Sequence, residues 1–218
     1  MKTKLSKLLL VLSLSINAVF AGQGAANLGY ASDYFFRGAL ASEESVQSSI
    51  SYTSSVVGLE TSLDAFTNQS VSGDVDTYIL GGKISKNLGE FLSVNLGVEH
   101  TEFVSGEAIL DARLGATLNT VLSPSIAVER NLDESLYTFE LEVGHDLDLK
   151  VATLNLSALY GNTDQTLTAG KDIDYYALGA GLEKDISESA SARFGVDYVD
   201  SDVIEQESIF SLALNLKF

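Results

Sequence analysis

The sequence has no cysteine and no tryptophan, one proline, two histidines, and 13 basic residues against 30 acidic ones in a chain of 218. Without cysteine there is neither a disulfide framework nor a thiol for lipid attachment. So few bases leave no positive patch for nucleic acid or anionic headgroups. Beyond Ala21 no run is apolar for the length of a membrane helix, about 18 residues or more, which excludes a helical membrane protein. Scarce proline suits a chain that is mostly hydrogen-bonded strand, because proline cannot donate to a ladder.

The first 21 residues read as a cleavable signal peptide. Lys2, Lys4 and Lys7 form a positive start, residues 8–14 a short apolar core, and Val19, Phe20 and Ala21 precede a cut at Gly22. This divides the chain into a leader, 1–21, and one domain, 22–218. The leader takes three of the 13 bases and none of the 30 acids, so the mature chain carries a formal charge of −20. Charge of that size is compatible with disorder. A hydrophobic content of 45% and regular alternation argue instead for a folded chain.

Twelve segments of strand length alternate apolar and polar with period two. They are expected over 26–37, 45–53, 56–66, 76–87, 91–102, 107–118, 124–130, 136–145, 152–161, 175–184, 190–199 and 208–218. In the fifth, Leu92, Val94, Leu96 and Val98 oppose Ser93, Asn95, Gly97 and Glu99. In the last, Phe210, Leu212, Leu214, Leu216 and Phe218 oppose Ser211, Ala213, Asn215 and Lys217. A final strand with one greasy face is what the closing strand of a transmembrane barrel requires, because one side meets lipid and the other the lumen. Closure follows from the bilayer, where an open edge would leave backbone groups unpaired. The fold class is therefore all-β, a closed antiparallel transmembrane β-barrel of about 12 strands behind a signal peptide. A soluble β-sandwich is the rival. Connections after strands 2, 4, 6, 8 and 10 are short. Longer, acidic ones are expected after strands 1, 3, 9 and 11, holding Glu43, Glu44, Asp74, Asp164, Asp172, Asp174, Asp200, Asp202, Glu205 and Glu207. Aromatic residues near strand ends, Tyr34, Phe36, Phe66, Phe103 and Tyr160 among them, are expected in two interfacial belts.

If the apolar face meets lipid, the other face lines the lumen. That assigns Asp33, Glu60, Asp64, Glu99, Asp111, Glu140, Glu142, Glu183 and Asp197 inward, with Glu129, and the bases Arg37, Lys83, Arg113 and Arg193, with Lys217. Acids outnumber bases there, so the lumen favours cations. Small barrels are filled by side chains and large ones are open, and 12 strands fall between. A narrow channel and a salt-bridged plug both remain open readings. Asp33 and Arg37 are expected to pair with the second and last strands at the closing seam, or Arg37 to face acids such as Glu60 in a constriction.

Catalysis and metals have little to stand on. His100 and His145 alternate with the outward set and fall toward opposite rims, and neither has a serine two residues away on its own face. They give no zinc spacing, and the acidic loops lack the ordered spacing of a dedicated calcium loop. No enzyme activity, catalytic residue, metal site or cofactor is expected.

Near the mature start the chain reads Tyr30-Ala31-Ser32-Asp33-Tyr34-Phe35-Phe36-Arg37-Gly38. With the leader and the terminal phenylalanine, this stretch resembles the TorF-family porins (the Gcw_chp group). The resemblance implies one barrel domain in the bacterial outer membrane, a channel role, recognition of the terminal phenylalanine by the barrel assembly machinery, and no catalytic residues. The expected function is passive diffusion of small cationic or neutral solutes. The alternative is a structural or adhesive barrel whose acidic loops bind divalent ions, lipopolysaccharide or a partner. Outer-membrane lipid and lipopolysaccharide are the expected surroundings, and nucleic acid is not expected as a partner.

Overall fold

The computed structural model describes residues 22–73, 76–104, 108–164 and 172–218. The expected leader and Asp74 lie outside the described residues. Twelve strands follow in order: β1 (Gln23–Phe36), β2 (Ala39–Val56), β3 (Leu59–Ser70), β4 (Thr77–Leu88), β5 (Leu92–Phe103), β6 (Ala108–Leu118), β7 (Ser125–Asn131), β8 (Tyr137–Asp148), β9 (Thr153–Thr163), β10 (Ile173–Ser187), β11 (Ala190–Ser201) and β12 (Ile204–Lys217). Each pairs antiparallel with its neighbours in sequence, and β1 pairs with β12, so the sheet closes as a barrel.

The seam is stitched from Ala25↔Lys217 to Ala31↔Ser211. Gly24 and Phe218 exchange both backbone hydrogen bonds, at 2.7 and 2.9 Å. Asn27 donates its amide to Asn215 across the same seam at 2.6 Å. The C-terminal strand thus does what its alternation requires. Leu28, Ile50, Leu96, Leu114, Leu178 and Leu212 stand on the outward face and are all more than half exposed. So large an apolar girdle is stable only against lipid, since soluble monomers rarely expose contiguous patches of this extent.

Two connections depart from the sequence expectation. The segment 38–44 is not a loop: β1 and β2 run on to a two-residue turn, Arg37-Gly38, at φ of 50° and 76°. Positive φ at both central residues is the geometry of a type I′ hairpin, and Gly38 adopts it freely. Likewise β11 and β12 extend to a turn at Asp202-Val203, so Asp200, Glu205 and Glu207 lie in strands. Turn chemistry favours Gly, Asn and Asp, and Arg37 is a weak signal for the first position of such a turn.

The first hairpin outgrows the wall. Pairing of β1 with β12 stops at Ala31, and pairing of β2 with β3 stops at Ser45, yet β1 and β2 stay paired to Phe36↔Ala39. Residues 33–43 therefore form a two-stranded tongue in ladder contact only with itself. A register shift at Tyr34/Phe35 and a φ of 44° at Glu44 mark its base.

Candidate lumen site

The tongue folds inward. With an interstrand spacing of about 4.8 Å and strands tilted by about 40°, a 12-stranded barrel is roughly 24 Å across between backbones. Five residues from Asp33 to Arg37 extend about 16 Å, and the long arginine side chain covers most of the rest. Arg37 in fact reaches β6 and β7, the latter six positions from β1 in a ring of 12. Its Nη2 lies 2.6 Å from Oδ2 of Asp111 and 2.7 Å from Oε2 of Glu129. All three side chains are more than nine-tenths buried.

The chain of charges continues along the wall. Arg113 pairs with the other oxygen of Glu129 and, at 3.3 Å, with Glu140. The hydroxyl of Tyr175 donates to Oε1 of Glu140 at 2.8 Å. Tyr175 has room because its ring lies over Gly161. Buried charges persist only when paired and hydrogen-bonded, and this network meets that condition at all but one atom. Oδ1 of Asp111 is buried and has no hydrogen-bond partner among the described residues.

Both faces of the tongue are covered. On one side Phe36 and Ala41 pack with Phe103, with Tyr34 and Ile109 beside them. The rings of Tyr34 and Phe66 meet at 5.7 Å. On the other, Phe35 packs against Ala31, Val199 and Ile209. Ser201 donates its hydroxyl to the carbonyl of Gly38 at 2.7 Å. Four aromatics expected in the interfacial belt, Tyr34, Phe36, Phe66 and Phe103, thus point inward. For Phe66 and Phe103 the alternation of β3 and β5 already places them with Asp64 and Glu99. Tyr160 and Tyr176 do stand together outside, with ring centroids 5.5 Å apart.

Below the tongue, toward the chain termini, lies a cavity of about 340 Å³. Asp64, Glu99, Glu142, Lys83 and Arg113 give it charge, and Gly81, Gly97 and Gly115 leave it space. Seven of the residues assigned inward from the sequence are therefore gathered in the network or the cavity, together with Asp111 and Arg37. The others stand apart. Asp33 lies at the base of the tongue and accepts from Ser32 at 2.8 Å. Glu60 is exposed near the β2–β3 turn, at the far end from Arg37. Glu183 accepts from Ser191 and Asn215 on the β10–β12 wall. Arg193 and Asp197 lie on the inward face of β11.

The seam expectation for Arg37 is overturned, since it does not pair with β2 and β12. It does face acids across the lumen, but these are Asp111 and Glu129 and not Glu60. The sequence carried no signal for its real partners, which depend on a tongue crossing the lumen. Tyr175 was missed as well, although it bonds Glu140 along the wall, where both flank Gly161 on the inward face, and the alternation of β10 could have placed it there. The two histidines stand on the outward faces of β5 and β8, and His145 Nδ1 sits 2.9 Å from the carbonyl of Val121. Among the described residues no set of three or more His, Asp and Glu side chains is gathered to hold a metal ion.

Fold and exterior define a closed, membrane-spanning antiparallel β-barrel of 12 strands. No protein-family model matches the sequence, and no curated protein matches it. Solved structures do. The NanC porin superposes with a TM-score of 0.60 at 11% identity, over 89% of this chain and 100% of that one. The COG4313 outer membrane channel from Pseudomonas putida F1 gives 0.59 at 9% identity, over 91% and 95%. The KdgM porin gives 0.58 at 11% identity, over 89% and 99%. At such identities the likeness establishes the fold alone. It extends to LpxR from Salmonella typhimurium, with a TM-score of 0.54 at 10% identity.

Proposed function

We propose that the protein is an outer-membrane, porin-like channel that lets small cationic or neutral solutes cross by diffusion, without covalent chemistry. One observation carries this reading: the cavity inside the barrel, lined by the carboxylates of Asp64, Glu99 and Glu142 beside Lys83 and Arg113. An acidic lumen concentrates cations and repels anions. The lipid-facing girdle and the likeness to porins and outer-membrane channels support the location. Membership of the TorF-family porins is part of the proposal and rests on residues 30–38. Export, which rests on residues 1–21, and insertion by the barrel assembly machinery, which rests on Phe218, belong to the proposal as well.

A second reading, a structural or adhesive barrel, is favoured by the tongue that fills the mouth. Single-channel recording in planar bilayers separates them. The channel reading expects discrete conductance steps that favour cations. Silence from the folded barrel and from a variant with residues 34–41 replaced by a short glycine-containing turn favours the structural barrel.

A further inference from the structure

The tongue and its landing site make one device. Asp111 and Glu129 converge on one nitrogen, Nη2, of the Arg37 guanidinium. Both carboxylates are buried, and one oxygen of Asp111 still lacks a partner among the described residues. A pair of buried carboxylates with spare acceptor capacity suits a flat, hydrogen-bonding cation. Arg37 is such a cation, held on a tether that has no ladder partner on either side between residues 33 and 43. The tether bends at the Tyr34/Phe35 register shift and at Glu44.

We propose that Asp111 and Glu129 form a binding site for guanidinium or primary ammonium groups, that Arg37 fills it in the closed channel, and that a solute bearing such a group displaces Arg37 and releases the tongue from the mouth. The inference rests on the channel reading above and adds the solute chemistry and the gate. A ligand shifts a two-state equilibrium only by its differential affinity. Here the difference is built in, because the solute and Arg37 compete for the same carboxylates.

The test is planar-bilayer recording on the folded full barrel. Guanidinium chloride at millimolar concentration is the probe, and tetramethylammonium at equal ionic strength, which cannot donate a hydrogen bond, is the control. Wild-type protein is expected to open more with guanidinium than with tetramethylammonium. Arg37→Ala is expected to stay open and to respond to neither. Arg37→Asn does the same while tolerating the left-handed backbone of the turn, which guards against a folding failure. A tether lock completes the set. A Cβ on Gly38 would lie 2.6 Å from Cβ of Tyr175, about 1.2 Å closer than in a disulfide, and a side chain is strained at the positive φ of Gly38, so the turn must relax by about 1 Å for Gly38→Cys/Tyr175→Cys to close. The oxidised pair is expected to be silent and to conduct after reduction.

If Arg37→Asn and the oxidised pair conduct as wild type does, the gate is overturned and the channel stands. Gating with no preference for guanidinium over tetramethylammonium overturns the displacement. If every variant, reduced pair included, is folded by circular dichroism yet silent, the channel reading falls and takes the gate with it.

Discussion

The rings of Phe36 and Phe103 meet edge to face inside the barrel, with centroids 5.1 Å apart and planes at 82°. One belongs to the tip of the first hairpin and the other to the wall strand β5. The contact pins a segment that no neighbouring strand holds by ladder pairing. Edge-to-face aromatic pairs add about 0.5–1.5 kcal/mol beyond their buried area.

Replacing Phe36 by alanine should therefore destabilise the barrel by about 2–4 kcal/mol. This is somewhat below the value for a sealed core, because lumen water can enter the gap. Urea unfolding in lipid vesicles checks the loss. A double-mutant cycle with Phe103→Ala should return a coupling of about 1 kcal/mol. Additivity of the two changes would remove the contact from the account.

The turn between β2 and β3 offers a gain. Val57 stands at φ 52° ahead of Gly58 at φ 75°, and is 97% exposed. A β-branched residue is strained there, and no contact repays it. Val57→Asn installs the pair that type I′ hairpins favour. Stability should rise by about 1 kcal/mol in the same unfolding assay, with the barrel otherwise unchanged.

Leu141 and Leu156 stand on the outward face of β8 and β9. A charge on that face near the membrane midplane costs about 2–4 kcal/mol. Leu141→Arg and Leu156→Arg should each lower refolding into lipid vesicles by that measure. Arginine at Ser157, on the inward face next to Leu156, should cost much less. Equal losses at the two faces would contradict the outward assignment.

Glu140 and Glu142 share a face but not a role. Glu140 accepts from Arg113 and Tyr175. Glu142 lines the cavity and is exposed to it. Glu140→Gln should cost about 1–3 kcal/mol, the usual loss when a partly buried charged partner is removed. Glu142→Gln should leave stability within about 0.5 kcal/mol and move the reversal potential toward weaker cation preference. An unchanged reversal potential would take Glu142 out of the conduction path.

Much of this architecture was legible along the chain. Period-two alternation in Leu92–Glu99 and across residues 210–218 placed each side chain inward or outward, and the closed ladder follows from that pattern. The inward set was readable too, which is why Asp64, Lys83, Glu99, Arg113 and Glu142 meet around one cavity. Hairpin ends were harder. Arg37 lacks the Asn or Asp that announces a type I′ turn, so residues 39–44 read as a loop when they are strand.

What the sequence by itself determined is the barrel: strand number, antiparallel order, a greasy outside and a charged inside. These depend on neighbours one or two residues apart and on the bilayer's demand that every backbone group be paired. The tertiary structure alone decided where Arg37 ends. Its partners on β6 and β7 lie 74 and 92 residues away. They meet only because closure sets β1 opposite β7, and because a hairpin longer than its wall must bury its aromatics somewhere. No local periodicity encodes a distance across the lumen, so the plug and its latch became visible only once the ring was closed.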